Sequence, residues 1–208
     1  MYGKLPEVVG YFFEDEGRRE FFTYQYLPIK MPGHSYYRIE ERLWPFTNLI
    51  DDVVHHYNNR FGVDKYRSMY VYLTAKRMFQ RNGCGFNRKG LHSDSYMSDD
   101  INYLFCDSQP TIFNTSPFIL SQDDQLSLKE MEEQALPENN VTFPLNSILC
   151  LDQYCIHKVG EIEDGVRTFV KLTFSDKRFD LEGNSHNYLL DYNWSMRPRN
   201  ESRNVPHL

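Results

Sequence analysis

The feature that most restricts the fold of this chain is a series of short runs rich in tyrosine, phenylalanine and β-branched residues, separated by glycine, proline and asparagine. "SMYVYLTAKRMF" (68–79), "INYLFCD" (101–107), "TIFN" (111–114), "NSILCLDQYCIH" (146–157) and "RTFVKLTFSD" (167–176) each read as a strand. "VVGYFFEDEGRREFFTYQYLPI" (8–29) places two such runs around a charged turn with Gly17, the pattern of a β-hairpin. Only "FTNLIDDVVHHYNNRFG" (46–62) has firm helical spacing, with Leu49, Ile50, Val53, Val54 and Tyr57 apolar, Thr47 placed as N-cap and Gly62 as the stop. A second, shorter helix is expected within the acidic stretch 121–140. Many short strands without strand–helix alternation point to a mainly β sandwich or barrel with flanking helices, not to βαβ units.

A length of 208 residues suits one domain, 1–208, with its core at about 68–176, an N-terminal hairpin and helix at 8–62 and an irregular tail at 177–208. The net charge of −6 argues against a nucleic-acid binder that relies on overall charge, though a local basic patch stays compatible with it. Neither a basic leader followed by an apolar run nor a long apolar segment is evident, so a cytoplasmic protein with no membrane partner is expected, with Cys84, Cys106, Cys150 and Cys155 reduced. Four Asn-x-Ser/Thr triplets, at Asn114, Asn140, Asn193 and Asn200, read as chance. The last dozen residues read as an exposed tail or a subunit contact.

The chemistry concentrates in "GLHSDSYMSDD" (90–100), where His92 and Asp94 stand two apart. On an extended segment, residues i and i+2 face one side, so the pair opens a metal site that needs a third ligand from another strand. His157 meets that need, and Arg167 follows ten residues later at the start of the last strand. Two imidazoles and one carboxylate on one face of an octahedron leave positions open, the facial-triad arrangement of non-haem Fe(II) oxygenases. A 2-oxo acid chelating such a metal needs a deep cation for its far carboxylate, and a bidentate arginine suits it. His55 and His56 are neighbours on the helix, point about 100° apart and make a poor chelate. His34, His186 and His207 have no partner at ligand spacing.

"LHSD", followed by "PLNSILCLDQYCIHKVGEIEDGVRTFVKLTFSD", resembles the 2-oxoglutarate/Fe(II)-dependent dioxygenases, whose pattern is H-x-D, a long gap, H, then Arg or Lys about ten residues on. The resemblance spans about residues 68–176. It implies a double-stranded β-helix (jelly roll) core, Fe(II) held by His92, Asp94 and His157, 2-oxoglutarate held by Arg167, and O₂ as co-reactant. It also suggests Tyr103 and Asn102 as neighbours of the cosubstrate. Since halogenating relatives lack the carboxylate, Asp94 favours hydroxylation of a C–H bond in a small molecule or protein side chain, with release of succinate and CO₂. The basic stretch Lys76, Arg77, Arg81, Arg88 and Lys89 suits an anionic substrate. Alternatives are an AlkB-like nucleic-acid demethylase and a catalytically silent jelly-roll binding protein. Against the former, Phe169 and Ser175 stand where that branch carries arginines. Two points stay open. Residues 121–140 suit a lid or a plain surface excursion, and Lys171, on the same strand face as Arg167, must either leave the pocket or take part in it.

Overall fold

The computed structural model describes residues 1–13, 20–82 and 88–199. Its strands are β1 (Glu7–Tyr11), β2 (Phe22–Lys30), β3 (Tyr70–Gln80), β4 (Ile101–Cys106), β5 (Ile112–Asn114), β6 (Asn140–Thr142), β7 (Ser147–Leu151), β8 (His157–Lys158) and β9 (Gly165–Ser175). Its helices are α1 (Thr47–Phe61), α2 (Val63–Ser68) and α3 (Asp124–Gln134). A six-stranded sheet runs β1-β7-β4-β9-β3-β2 and a three-stranded sheet runs β6-β5-β8, both antiparallel. From β4 onward the chain passes from the large sheet to the small one, back at β7, out at β8 and back at β9. Leu104, Leu149, Leu151 and Phe169 of the large sheet pack with Phe113 of the small one, so the sheets face each other across a shared core. This alternation between two facing sheets is the jelly roll, and the mainly β expectation holds.

Alternation along the strands assigns the two faces of the large sheet. Val71, Leu73, Ala75, Tyr103, Phe105, Ile148, Cys150, Val170, Leu172 and Phe174 form one core with Leu49, Ile50, Val53 and Tyr57 of α1. Tyr57 stacks on Phe174 at 4.0 Å. The opposite, inner face looks toward the small sheet and carries Arg167, Phe169, Lys171 and Thr173 of β9, cross-strand from Met78, Lys76, Thr74 and Tyr72 of β3. Its polar composition is the first sign that this face has a task besides packing.

Three local expectations need correction. The runs at 8–29 do not form a hairpin: β1 and β2 lie at opposite edges of the large sheet, paired with β7 and β3. Either run satisfies any antiparallel partner, and about eleven residue steps of ~3.3 Å easily cross the ~24 Å of a six-stranded sheet. Phe12 and Phe22 both pack on Phe46, at 6.1 and 5.8 Å, on the helical face. The turn assigned to Gly17 lies outside the described residues. Thr47 is not the N-cap: a 3-10 turn over Glu41–Phe46 runs directly into α1, and the Thr47 hydroxyl donates back to the Trp44 carbonyl. Gly62 does end α1, at φ 90°.

The segment 146–157 is two strands rather than one. Asp152 breaks it: its Oδ1 accepts the Tyr154 N–H at 3.0 Å and its carbonyl accepts Cys155 N–H at 3.2 Å, a side-chain-nucleated turn that carries the chain from one sheet to the other. Residues 177–199 are irregular but docked. Ser185 N–H bonds the Gln25 carbonyl at 2.7 Å, and the Asn187 side chain donates to the Pro28 and Arg38 carbonyls at 2.9 Å, covering the β2 edge. Residues 200–208, with His207, lie outside the described residues, as do Gly83, Cys84 and Gly85. Cys106, Cys150 and Cys155 are free and buried. Among the described residues, no helix is long and apolar enough to cross a membrane.

Candidate metal and anion site

Backbone pairing brings the two imidazoles together. His92 and His157 exchange both N–H···O bonds at 2.9 Å, an isolated antiparallel bridge. Residues directly opposite in such a pair present their side chains to the same face, and the rings lie 4.5 Å apart. Gly90 makes the approach possible: at φ +80° it takes a conformation L side chains avoid, and a Cβ there would stand 2.8 Å from Glu132 Oε1. That same carboxylate accepts the Leu91 N–H. Met131 of α3 packs with Leu91, Tyr96 and Ile156, and Tyr96 OH bonds the Ser121 carbonyl. The acidic stretch is therefore fastened to the His92 segment and buttresses it.

His92 Nδ1 lies 3.0 Å from the Gly90 carbonyl and His157 Nδ1 lies 3.1 Å from the Cys155 carbonyl. A carbonyl only accepts, so in both rings Nδ1 carries the proton and the Nε2 lone pair is left for a ligand. This is the arrangement in which metal-binding histidines are held. Asp94 completes the group, with one donor atom from each of His92, Asp94 and His157 within 4.8 Å of one another. Its Oδ2 lies 3.6 Å from His157 Nε2 and its Oδ1 3.0 Å from Lys171 Nζ. The donor set, two nitrogens and a carboxylate oxygen, fits a borderline or hard divalent cation such as Fe(II).

The electrostatics follow from burial. Burial and the neighbouring His157 hold His92 well below the ordinary imidazole range, keeping it a neutral donor. Burial works against the Asp94 charge, but Lys171, then His157, outweigh it, and the carboxyl stays ionised well below its ordinary range. Burial likewise opposes the Lys171 charge, while Asp94 and Tyr26 raise it above the ordinary lysine value.

Arg167 is on the inner face with Lys171, four residues back along β9, and is 2% exposed. Its Nε donates to the Ser108 carbonyl at 3.0 Å and its guanidinium lies 5.3 Å from the Phe169 ring. One terminal nitrogen, Nη2, is buried and has no hydrogen-bond partner among the described residues. A buried donor left unpaired costs about 1–3 kcal/mol, and it suits an anionic ligand with two acceptor oxygens. Lys76 belongs to the same face, cross-strand from Phe169. Burial, then Lys171 and Arg167, lower its pKa. Arg88 lies near Asp94, which offsets part of its burial cost. The inner face is thus rich in cations, as the basic stretch in the sequence suggested, although Arg77 is on the other face, bonded to the Thr168 hydroxyl at 3.0 Å.

Tyr103 is not at the site. It is on the helical face, where its hydroxyl lies 2.8 Å from His56 Nδ1 and His56 Nε2 lies 3.5 Å from Glu7. On β4, Asn102, Leu104 and Cys106 face inward, and Tyr103 faces the helix. Asn102 is inward but already engaged, accepting from the Thr173 hydroxyl at 2.6 Å and donating to Ser95 Oγ at 2.6 Å. It anchors the turn after Asp94. Lys171 is the residue whose position the sequence left undecided; it belongs to the site. Tyr26, above Lys171 at 5.2 Å, carried no sequence signal. A shallow cleft of about 430 Å³ bounded by Tyr37, Arg38, Trp44 and Leu189 lies elsewhere.

No protein-family model and no curated protein matches this chain. Among solved structures, EvdO2 from Micromonospora carbonacea var. aurantiaca is similar over 66% of this chain and 66% of its own, at 16% identity and a TM-score of 0.40. EvdO2 complexed with 2-oxoglutarate aligns over 74% and 76%, at 15% identity and a TM-score of 0.40. An oxidoreductase of the 2OG-Fe(II) oxygenase family from Burkholderia pseudomallei aligns over 83% and 72%, at 12% identity and a TM-score of 0.40.

Proposed function

We propose that this chain is an Fe(II)- and 2-oxoglutarate-dependent oxygenase that hydroxylates a C–H bond of a small molecule or protein side chain. The observation that carries the reading is two imidazole Nε2 lone pairs and an ionised carboxylate within 4.8 Å, in contact with Lys171 on the strand face that also carries a buried guanidinium with an unpaired nitrogen. His92, Asp94 and His157 would hold the iron, and Arg167 the far carboxylate of 2-oxoglutarate. When bound, the two supply oxidising power from O₂, with release of succinate and CO₂. The protein's own share is orientation and enclosure. Carbonyl acceptors fix both imidazole tautomers, Lys171 fixes Asp94, and Leu104, Phe113, Leu149 and Leu151 keep the core between the sheets dry. The cations Lys76 and Arg88 favour a substrate bearing negative charge.

The test is calorimetric and chemical. Protein loaded anaerobically with Fe(II) is titrated with 2-oxoglutarate, then exposed to O₂ with candidate metabolites and peptides while +16 Da products are sought. Saturable, metal-dependent binding lost in His157→Ala is expected. A protein that binds 2-oxoglutarate equally with and without metal refutes the assignment.

A further inference from the structure

Lys171 gives the site a feature that a set of three ligands does not require. The two oxygens of Asp94 are divided: Oδ1 lies 3.0 Å from Lys171 Nζ, while Oδ2 faces His157 Nε2 at 3.6 Å. Both side chains are largely enclosed, Lys171 at 8% and Asp94 at 14% exposure. Lys171 is in turn held from above. The β2–β3 register slips between Tyr24 and Leu27, a bulge, and the bulged Tyr26 adopts φ 45°, rare for a residue with a Cβ. Its N–H is taken by the Thr74 hydroxyl at 3.1 Å, and Thr74 is the cross-strand neighbour of Lys171. The Tyr26 ring packs edge-on against Phe179 at 5.2 Å and covers Lys171 Nζ at 5.2 Å. Irregular backbone of this kind persists where its surroundings over-determine it, and bulges beside functional sites re-aim side chains.

We propose that Lys171, itself seated by the bulged Tyr26, is a positioning residue that occupies one oxygen of Asp94 and leaves only the other for the metal. This rests on the metal reading above and adds to it a denticity. With Oδ1 engaged, Asp94 takes a single coordination place, which keeps more positions for small ligands than a two-oxygen carboxylate would. Lys171 also holds the carboxylate in one rotamer before metal arrives, so the ordering is complete in advance. Repulsion between Lys171 and a bound cation would act in the opposite direction, and the Asp94 charge, engaged by Lys171 through Oδ1, offsets part of it.

Co(II) serves as the probe, because its visible absorption reports coordination number independently of turnover. In Lys171→Met, Co(II) affinity is expected to fall at least tenfold and the absorption envelope to change as the second oxygen becomes available. Tyr26→Leu, which removes the ring that covers Lys171 Nζ, is expected to move both readings the same way by a few-fold. Near-UV circular dichroism checks the fold of each, and should Lys171→Met fail to fold, Tyr26→Leu alone decides. Co(II) bound by Lys171→Met within twofold of the parent and with the parent's spectrum, or bound more tightly, overturns the proposal while leaving the metal site intact. An unchanged Tyr26→Leu standing alone does the same. A parent protein that binds no Co(II) overturns the metal reading itself, and this proposal with it.

Discussion

Replacing Arg167 by methionine separates a ligand-binding arginine from a structural one. In the ligand-free protein the change removes a buried, unpaired Nη2, a relief of about 1–3 kcal/mol, and forfeits the Nε bond to the Ser108 carbonyl, a loss of about 1.5–3 kcal/mol for a charged donor. The two nearly cancel, so stability is expected to change by less than about 2 kcal/mol. Breaking a buried ion pair by removing one partner costs about 3–5 kcal/mol, but among the described residues Arg167 has no carboxylate partner within salt-bridge distance. The same substitution deletes the charge-assisted contacts to a bound dicarboxylate, worth about 1.5–3 kcal/mol, or roughly 10–150-fold in affinity. Urea unfolding of the metal-free protein gives the first quantity, and calorimetric titration of Mn(II)-loaded protein with 2-oxoglutarate the second, with Mn(II) affinity as a control that should stay within threefold. A stability loss above about 3 kcal/mol with unchanged 2-oxoglutarate affinity would show that Arg167 is structural and refute the reasoning.

Gly90→Ala forces a Cβ to φ +80° and to 2.8 Å from Glu132 Oε1. Differential scanning calorimetry should show a loss of about 1–2 kcal/mol, with weaker metal binding because the Leu91–His92 segment shifts. Tyr103→Phe should leave metal and 2-oxoglutarate affinities unchanged and cost about 0.5–1.5 kcal/mol for its bond to His56 in urea titrations; a large loss of cosubstrate affinity would restore the residue to the site. The metal-free protein should also weaken in acid. His92 and Asp94 are both depressed in the folded state, so the unfolded chain takes up protons first. Stability should be full above about pH 6.5, decline below it as His92 protonates in the unfolded chain, and decline further below about pH 4 through Asp94. Melting temperatures flat from pH 7 to 4 would contradict this.

The residues of the candidate site were legible because their spacing is chemical. His92, Asp94, His157 and Arg167 declare themselves by residue type and interval, and the alternation of "RTFVKLTFSD" by itself puts Arg167 and Lys171 on one face. α1 and the strands at 70–80, 101–106 and 165–175 were legible too, since hydrophobic period is a local property. What stayed hidden is everything a strand's partner decides. The sequence of 8–29 suits a hairpin as well as two opposite edges, and only the cross-sheet pairings of β1 with β7 and β2 with β3 choose between them. Tyr103 could not be put on the helical side from its own strand, because alternation defines two faces without saying which one looks inward. Lys171 stood undecided for the same reason, until tertiary structure placed Asp94 3.0 Å from it.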